Sequence, residues 1–213
     1  LLSLALDCNM TGIGSPLLSN DERVIPALEA FGYTHEDACN YVTSACWEPF
    51  SYGNALGRNN LNTVNYAKVL EDVYKAKDFS EIRDYTSLTN MYCKKLKANV
   101  ENILADIDKI RWERNPLMSL FISDCTKFGK DVSEGGAVHN DYGILAVGLA
   151  NAVDSLLNIK HLVFENASLS LQELKNAAIG DFSANENLRK MLSDNAYFAH
   201  EDTEVLELIT KIT

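Results

Sequence analysis

The sequence has no CxxC pair, no GxGxxG loop, no excess of basic residues and no apolar run of membrane length, and each absence argues against a class of function. Its five cysteines, Cys8, Cys39, Cys46, Cys93 and Cys125, are odd in number and widely spaced. Without CxxC spacing, a zinc or iron–sulfur site lacks its usual ligand frame, and no metal is expected. Scattered thiols fit a reducing cytoplasm better than a disulfide framework. Cations are scarce: 19 Lys and Arg stand against 30 Asp and Glu in 213 residues, a net charge of -11. Phosphates would be repelled by such a surface, so neither nucleic acid nor an anionic membrane is an expected partner. The longest apolar run, residues 143–153, is interrupted by Asn151 and ends at Asp154. A bilayer span needs about 20 residues. Residues 1–6 lack the basic start of a signal peptide and read as a short buried strand or the end of a helix. Gly12 and Gly14 have neither the spacing nor the lysine of a phosphate loop, so Thr11-Gly12-Ile13-Gly14-Ser15-Pro16 reads as a tight turn beside a cavity. There is no internal repeat and no linker, and residues 1–213 read as a single segment. The chain opens on Leu1, which reads as an excerpt or a processed product of something longer.

What is present centres on Thr43-Ser44-Ala45-Cys46-Trp47-Glu48-Pro49. In an extended segment, residues i and i+2 point to the same side, so the Cys46 thiol and the Glu48 carboxylate would face one cavity. Pro49 favours an extended conformation at Glu48. Sulfur can do a difficult bond-breaking step while a carboxyl group moves a proton. The bland alternatives are a core thiol for Cys46 and a surface carboxylate or ion-pair partner for Glu48.

Around that stretch the period is mostly helical. Asn20-Asp21-Glu22 caps a helix that runs to about Phe31 and stops at Gly32, with Pro26 either delaying its start or bending its first turn. Thr34 opens a second helix over residues 36–43. A long loop through Gly53, Gly57, Asn59 and Asn60 follows. Asn62 or Thr63 caps a helix over residues 64–75. Tyr92, Leu96, Val100, Ile103, Ile107 and Ile110 form one stripe of a long helix over residues 87–114. Pro116 starts the next, over residues 117–128. Residues 130–140 read as a polar loop, where His139 and Asn140 are within reach of the cavity; His139 is a candidate proton carrier, against the reading of a solvated loop histidine. His35, His161 and His200 show no metal spacing. Residues 142–147 suggest a strand, and residues 148–164 a helix apolar on all sides and therefore buried. The tail reads as surface helices over residues 171–178, 185–193 and 203–212, the first with a Ser170/Glu173 capping box.

Taken together and in order, several stretches resemble the glycyl radical enzymes. They are Gly12-Ile13-Gly14-Ser15-Pro16, Asn20-Asp21, Asp37-Ala38, Tyr41, Cys46, Glu48-Pro49, Pro116-Leu117-Met118-Ser119, Cys125, Gly129-Lys130-Asp131, Gly135-Gly136-Ala137, and Gly148 through Leu156 with Ile159-Lys160 and Val163-Phe164-Glu165. Residues 197–202 continue the match. The resemblance implies an α/β, helix-dominated fold: a central segment of the pyruvate formate-lyase-like ten-stranded barrel, with few strands and many surrounding helices, and without the C-terminal glycine radical domain. It implies that Cys46 is the thiyl-bearing cysteine and Glu48 the general acid or base of the dehydratase and lyase branch. Formate-lyases carry a Cys-Cys pair where this chain has Cys46-Trp47, so a dehydratase or lyase reaction is expected rather than formate acetyltransfer. The resemblance further implies a protein-borne glycyl radical in place of a bound cofactor, a radical SAM activating enzyme as partner, a small-molecule substrate, anaerobic metabolism and a homo-oligomer. The family's Arg-Val-x-Gly-aromatic radical loop is not in these residues, so this stretch alone is expected to be inactive. The competing expectation is a non-catalytic helical interaction module on the same scaffold. Excised from a barrel, its apolar helix faces would be uncovered and would promote self-association.

Overall fold

The structure is a computed structural model that describes residues 1–44, 47–198, 200 and 202–213. In chain order the elements are α1 (Leu2–Met10), α2 (Asp21–Ala30), α3 (His35–Cys39), β1 (Tyr41–Ser44), β2 (Glu48–Ser51), β3 (Ala55–Asn65), α4 (Tyr66–Tyr74), α5 (Tyr85–Ile107), α6 (Pro116–Ser119), α7 (Ser123–Phe128), β4 (His139–Val147), α8 (Leu149–Ile159), α9 (Leu171–Ile179), α10 (Glu186–Asp194) and α11 (Thr203–Ile212). Helices dominate, as the 3.6-residue periods require. The described strands form two two-stranded sheets, β1 with β2 and β3 with β4.

Local signals fixed most helix starts. The Asn20 side chain accepts from the Glu22 N–H at the head of α2. Pro26 lies inside that helix without delaying its start, at the loss of one hydrogen bond to the Glu22 carbonyl. Asp84 and Ser87 cap α5 reciprocally, as Ser170 and Glu173 cap α9. Several expectations fail, most of them for non-local reasons. The helix over 36–43 stops at Cys39, because Tyr41-Val42-Thr43 favours strand and pairs antiparallel with β2, Tyr41 opposite Ser51 and Ser44 opposite Glu48. The loop through Gly57, Asn59 and Asn60 is instead part of the eleven-residue strand β3. Asparagine and glycine are poor strand formers, and here pairing with β4 and side-chain hydrogen bonds overrule propensity. The helix over 87–114 ends at Ile107, beyond which Trp112 lies under the Arg58 guanidinium, 4.7 Å from its ring centre. The helix over 117–128 breaks into α6 and α7 at Ile122, whose extended backbone (φ -111°, ψ 118°) turns its side chain into a small core. The cap of α4 is Asn65, not Asn62 or Thr63, and residues 1–6 form exposed helix rather than buried strand.

The chain divides into two compact units. The first, Leu1–Leu61 with Arg111–Gly143, has two small cores. Val24, Leu28, Tyr33 and Ala38 make one, with Trp47 packed on it. Ile122, Cys125, Val132 and Ala137 make the other. In this unit β3 and β4 run parallel. The His139 N–H donates to the Asn54 carbonyl, and farther along both strands Gly143 lies against Asn59. Gly136 is required by packing: a Cβ there would lie 2.2 Å from the Lys130 carbonyl oxygen and 2.6 Å from Cys125 Sγ. Gly136→Ala is therefore expected to destabilise the unit by about 1–3 kcal/mol, read as a lower urea midpoint; an unchanged midpoint would show that the turn yields freely.

The second unit, Asn62–Ile110 with Ile144–Thr213, contains the main core. Val73, Leu88, Tyr92, Val153, Leu156 and Leu157 are fully buried in it. The Tyr92 hydroxyl donates to the Tyr66 carbonyl at 3.0 Å. The all-round apolar helix α8 is buried as its pattern requires. Its polar residues are partnered: Asp154 accepts from the Tyr197 and Phe198 N–H groups at 2.7 and 2.8 Å, and buried Asn158 donates to the Asn195 carbonyl. The last helix, α11, is not a surface helix, since Val205, Leu208 and Ile212 join this core.

Candidate active site

The proposed site residues flank one hairpin. Strands β1 and β2 are joined by the three residues 45–47. Ala45 and Cys46 lie outside the described residues. Trp47 has φ 85°, its N–H donates to the Ser44 carbonyl at 2.7 Å, and its half-buried ring rests on the core of Val24, Leu28, Tyr33 and Ala38. Trp47 thus adopts the left-handed conformation, and the expectation that the Cys46 and Glu48 side chains face one cavity falls on Cys46 and lies outside the described residues.

Glu48 is the first residue of β2, extended as Pro49 dictates. Its Oε2 accepts from the Ser44 hydroxyl at 3.0 Å, and Ser44 Oγ in turn accepts from Asn59 Nδ2 at 2.8 Å. Ser44 and Asn59 both line a cavity of about 560 Å³. Asn115 adds a third polar group to that wall, and Phe50, Met118 and Phe121 supply an apolar one. A pocket with a few convergent polar groups on an apolar lining suits a small organic substrate. The turn that carries Met118 is held by Asp131, which accepts from the Asn115 N–H and the Ser119 hydroxyl. Hydrogen bonds from Ser133, first from its hydroxyl and then its backbone, hold the Asp131 carboxyl well below the usual carboxylate range.

His139 is not a solvated loop histidine. It opens β4, its side chain is 10 % exposed, its ring stacks on Tyr33 at 3.8 Å, and Nε2 lies 3.0 Å from Asp37 Oδ2. Asn54 donates to the other Asp37 oxygen, and the Tyr33 hydroxyl donates to Asp141. The His139 hydrogen bond lowers the Asp37 pKa, and burial with the Asp141 hydrogen bond raises that of Tyr33. The group ties α3, which precedes the hairpin, to the start of β4. A depressed carboxyl contributes stability above its unfolded pKa and loses it as pH falls. Stability is therefore expected to drop as pH is lowered below about 4, and Asp37→Asn to flatten that dependence in urea titrations; an unflattened curve would remove Asp37 as its source. Sequence spacing held no signal for this pair, since 102 residues separate its members.

In the second unit, His161, Glu165 and Glu204 place ligand atoms within 4.8 Å of one another, a proximity their sequence spacing does not show. Both ring nitrogens of His161 face carboxylates, Nδ1 to Glu165 at 2.6 Å and Nε2 to Glu204 at 3.1 Å. Lys160 pairs with both glutamates. Lys160 already sets a cation between the carboxylates, and both ring nitrogens of His161 are occupied by those same carboxylates. The cluster is built as an ion-pair network joining the π-helical turn Lys160–Glu165 to α11.

Compared with protein families, residues 1–213 match the model described as pyruvate formate lyase-like over their whole length. The chain belongs to the pyruvate formate lyase-like family of glycyl radical enzymes. Among its curated relatives are a (2S)-3-sulfopropanediol dehydratase of Klebsiella oxytoca, 27% identical over 89% of this chain and 25% of the relative, and a trans-4-hydroxy-L-proline dehydratase of Clostridioides difficile, 28% identical over 99% and 29%. Among solved structures, the glycerol-bound B12-independent glycerol dehydratase of Clostridium butyricum superposes with a TM-score of 0.81 at 29% identity, covering 96% of this chain and 28% of that one. The pyruvate formate lyase-like chain thus spans about a quarter of the length of these relatives. It is a helix-dominated piece of a glycyl radical enzyme barrel, and no helix among its described residues is long and apolar enough to cross a membrane.

In this family setting the exposed apolar side chains have a reading. Leu117, Leu120 and Phe121 of the cavity-side turn are 68%, 69% and 76% exposed, and Leu145 and Val147 of β4 are uncovered as well. Surfaces of this kind mark interfaces. The 213-residue chain on its own is expected to self-associate, giving species heavier than a monomer in sedimentation velocity at micromolar concentration; a clean monomer would show that these side chains need no cover.

Proposed function

We propose that the complete protein is a glycyl radical dehydratase or lyase, that residues 1–213 are one segment of its barrel, that Cys46 carries the thiyl radical and that Glu48 is the acid–base group. The observation that supports this most is that Glu48, two residues from Cys46, accepts a hydrogen bond from Ser44, which with Asn59 lines a cavity of substrate size. The glycyl radical, installed by a radical SAM activating enzyme, supplies the unpaired electron. Cys46 then takes a hydrogen atom from a substrate carbon bearing a hydroxyl: the C–H bond breaks and the S–H bond forms. Glu48 accepts the hydroxyl proton of the resulting ketyl radical, and the same proton serves the departing group on the neighbouring carbon. Cys46 returns the hydrogen at the end. In the complete barrel, with Met118 and Phe121 covered by the rest of the chain, the apolar half of the wall would keep water from the radical. The substrate class is a small hydroxylated molecule, by similarity to relatives that act on glycerol, a sulfopropanediol or hydroxyproline.

The test is turnover by the full-length protein, activated anaerobically, with glycerol, (2S)-3-sulfopropanediol and trans-4-hydroxy-L-proline as probes. Product from one of them with wild type and none with Cys46→Ser supports the reading. Equal product from both overturns the role of Cys46, and no product from the activated wild type with any of the three favours the non-catalytic interaction module.

A further inference from the structure

We propose that Ser44 and Asn59 are positioning residues for Glu48. They act in series from two neighbouring strands to fix where its carboxylate points. This inference rests on the reading of Glu48 as the acid–base group and adds what holds it in place.

The geometry sets a direction along the chain of bonds. Asn59 Nδ2 donates to Ser44 Oγ at 2.8 Å, and Ser44 Oγ donates to Glu48 Oε2 at 3.0 Å. A serine hydroxyl has one proton and two lone pairs. Once an amide N–H occupies a lone pair, the hydroxyl proton is free to turn to another acceptor, and it turns to the Glu48 carboxylate. Flipping the Asn59 amide would bring its oxygen to Ser44, compete for that single proton and set it against the glutamate. The assigned orientation is the one that satisfies all three groups. Linked bonds of this kind polarise and strengthen one another where water is scarce.

Each member is also fixed by its backbone. Ser44 and Glu48 are directly opposite in the β1–β2 register, and Asn59 sits on β3 where Gly143 of β4 approaches so closely that a Cβ at 143 would be 3.0 Å from Asn59 Cα. Ser44 and Asn59 face the cavity wall. An acid–base group works only when it is held within hydrogen-bond reach of the proton it moves, and a misplacement of about 1 Å costs on the order of 10²-fold in rate. The three strands therefore supply what the flexible glutamate lacks.

The experiment uses the full-length protein and has two independent readouts. In crystal structures of wild type and Ser44→Ala, the Glu48 carboxylate is expected to leave its wild-type position in the variant; a carboxylate in the same rotamer and place would overturn the proposal. With whichever of the three probes is turned over, Ser44→Ala is expected to lower kcat about tenfold or more while KM moves less than about twofold. Asn59→Leu is expected to lower it less, since it acts through Ser44, and Ser44→Thr, which keeps the hydroxyl, to recover most of the loss. A Ser44→Ala kcat equal to wild type, or a Ser44→Thr no better than alanine, would overturn the proposal. Glu48→Gln separates the two ideas: if it retains full kcat, the acid–base reading fails, and the crystal structures still decide whether Ser44 positions the side chain.

Discussion

Cys46→Ser in the activated, full-length protein is expected to reduce turnover to the uncatalysed background, and Glu48→Gln to lower kcat by about 10²–10⁴-fold. The two effects differ because the two proposed roles differ. An alcohol O–H bond is much stronger than a thiol S–H bond, so serine cannot take up the unpaired electron from the same donor, and the reaction never begins. Glutamine keeps the shape and hydrogen-bonding capacity of Glu48 but cannot exchange a proton. Hydrogen abstraction from substrate then still occurs while the elimination step slows. This gives a readout beyond rate. With a substrate deuterated at the abstracted position, Glu48→Gln is expected to return deuterium-depleted substrate faster than product, as the Cys46 S–D exchanges with solvent between abstraction and return, and Cys46→Ser to return it unchanged. A Glu48→Gln variant within about threefold of wild type would leave Glu48 without a chemical role.

The largest structural effect is expected at Leu156. Its side chain is fully buried in the core that α4, α5, α8 and α11 share. Truncation to alanine removes methyl groups from water-free surroundings and leaves a cavity that fully buried neighbours such as Leu88, Tyr92 and Val153 cannot close without leaving their own rotamers. Leu156→Ala is expected to cost about 2–5 kcal/mol, a large fraction of a typical folding stability of about 5–15 kcal/mol. Urea unfolding followed by circular dichroism measures it. A loss below about 1 kcal/mol would show that the core relaxes around the gap more than its packing implies. Unlike the site variants, this one is expected to lower stability at every pH, because no titrating group contributes.

The sequence by itself determined the elements whose signals are local. The caps at Asn20 and Ser170, the stripe from Tyr92 to Ile107 and the all-apolar α8 each depend on residues within a turn or two of one another. The order of short motifs around Cys46, Glu48 and Gly148 likewise carried the family, since a family leaves its mark along the chain. The tertiary structure decided whatever depends on partners far away in sequence. Strand β3 reads as loop because asparagine and glycine fill it, and it exists because β4 lies beside it some 80 residues later. His139 reads as solvated, and it is buried because Asp37 and Tyr33 meet it across a hundred residues. Ser44 and Asn59 had no signal at all, since a serine and an asparagine become a support for Glu48 only when three strands bring them together. Local propensity is written in short windows, whereas strand pairing and polar networks are set by which distant segments fold to the same place.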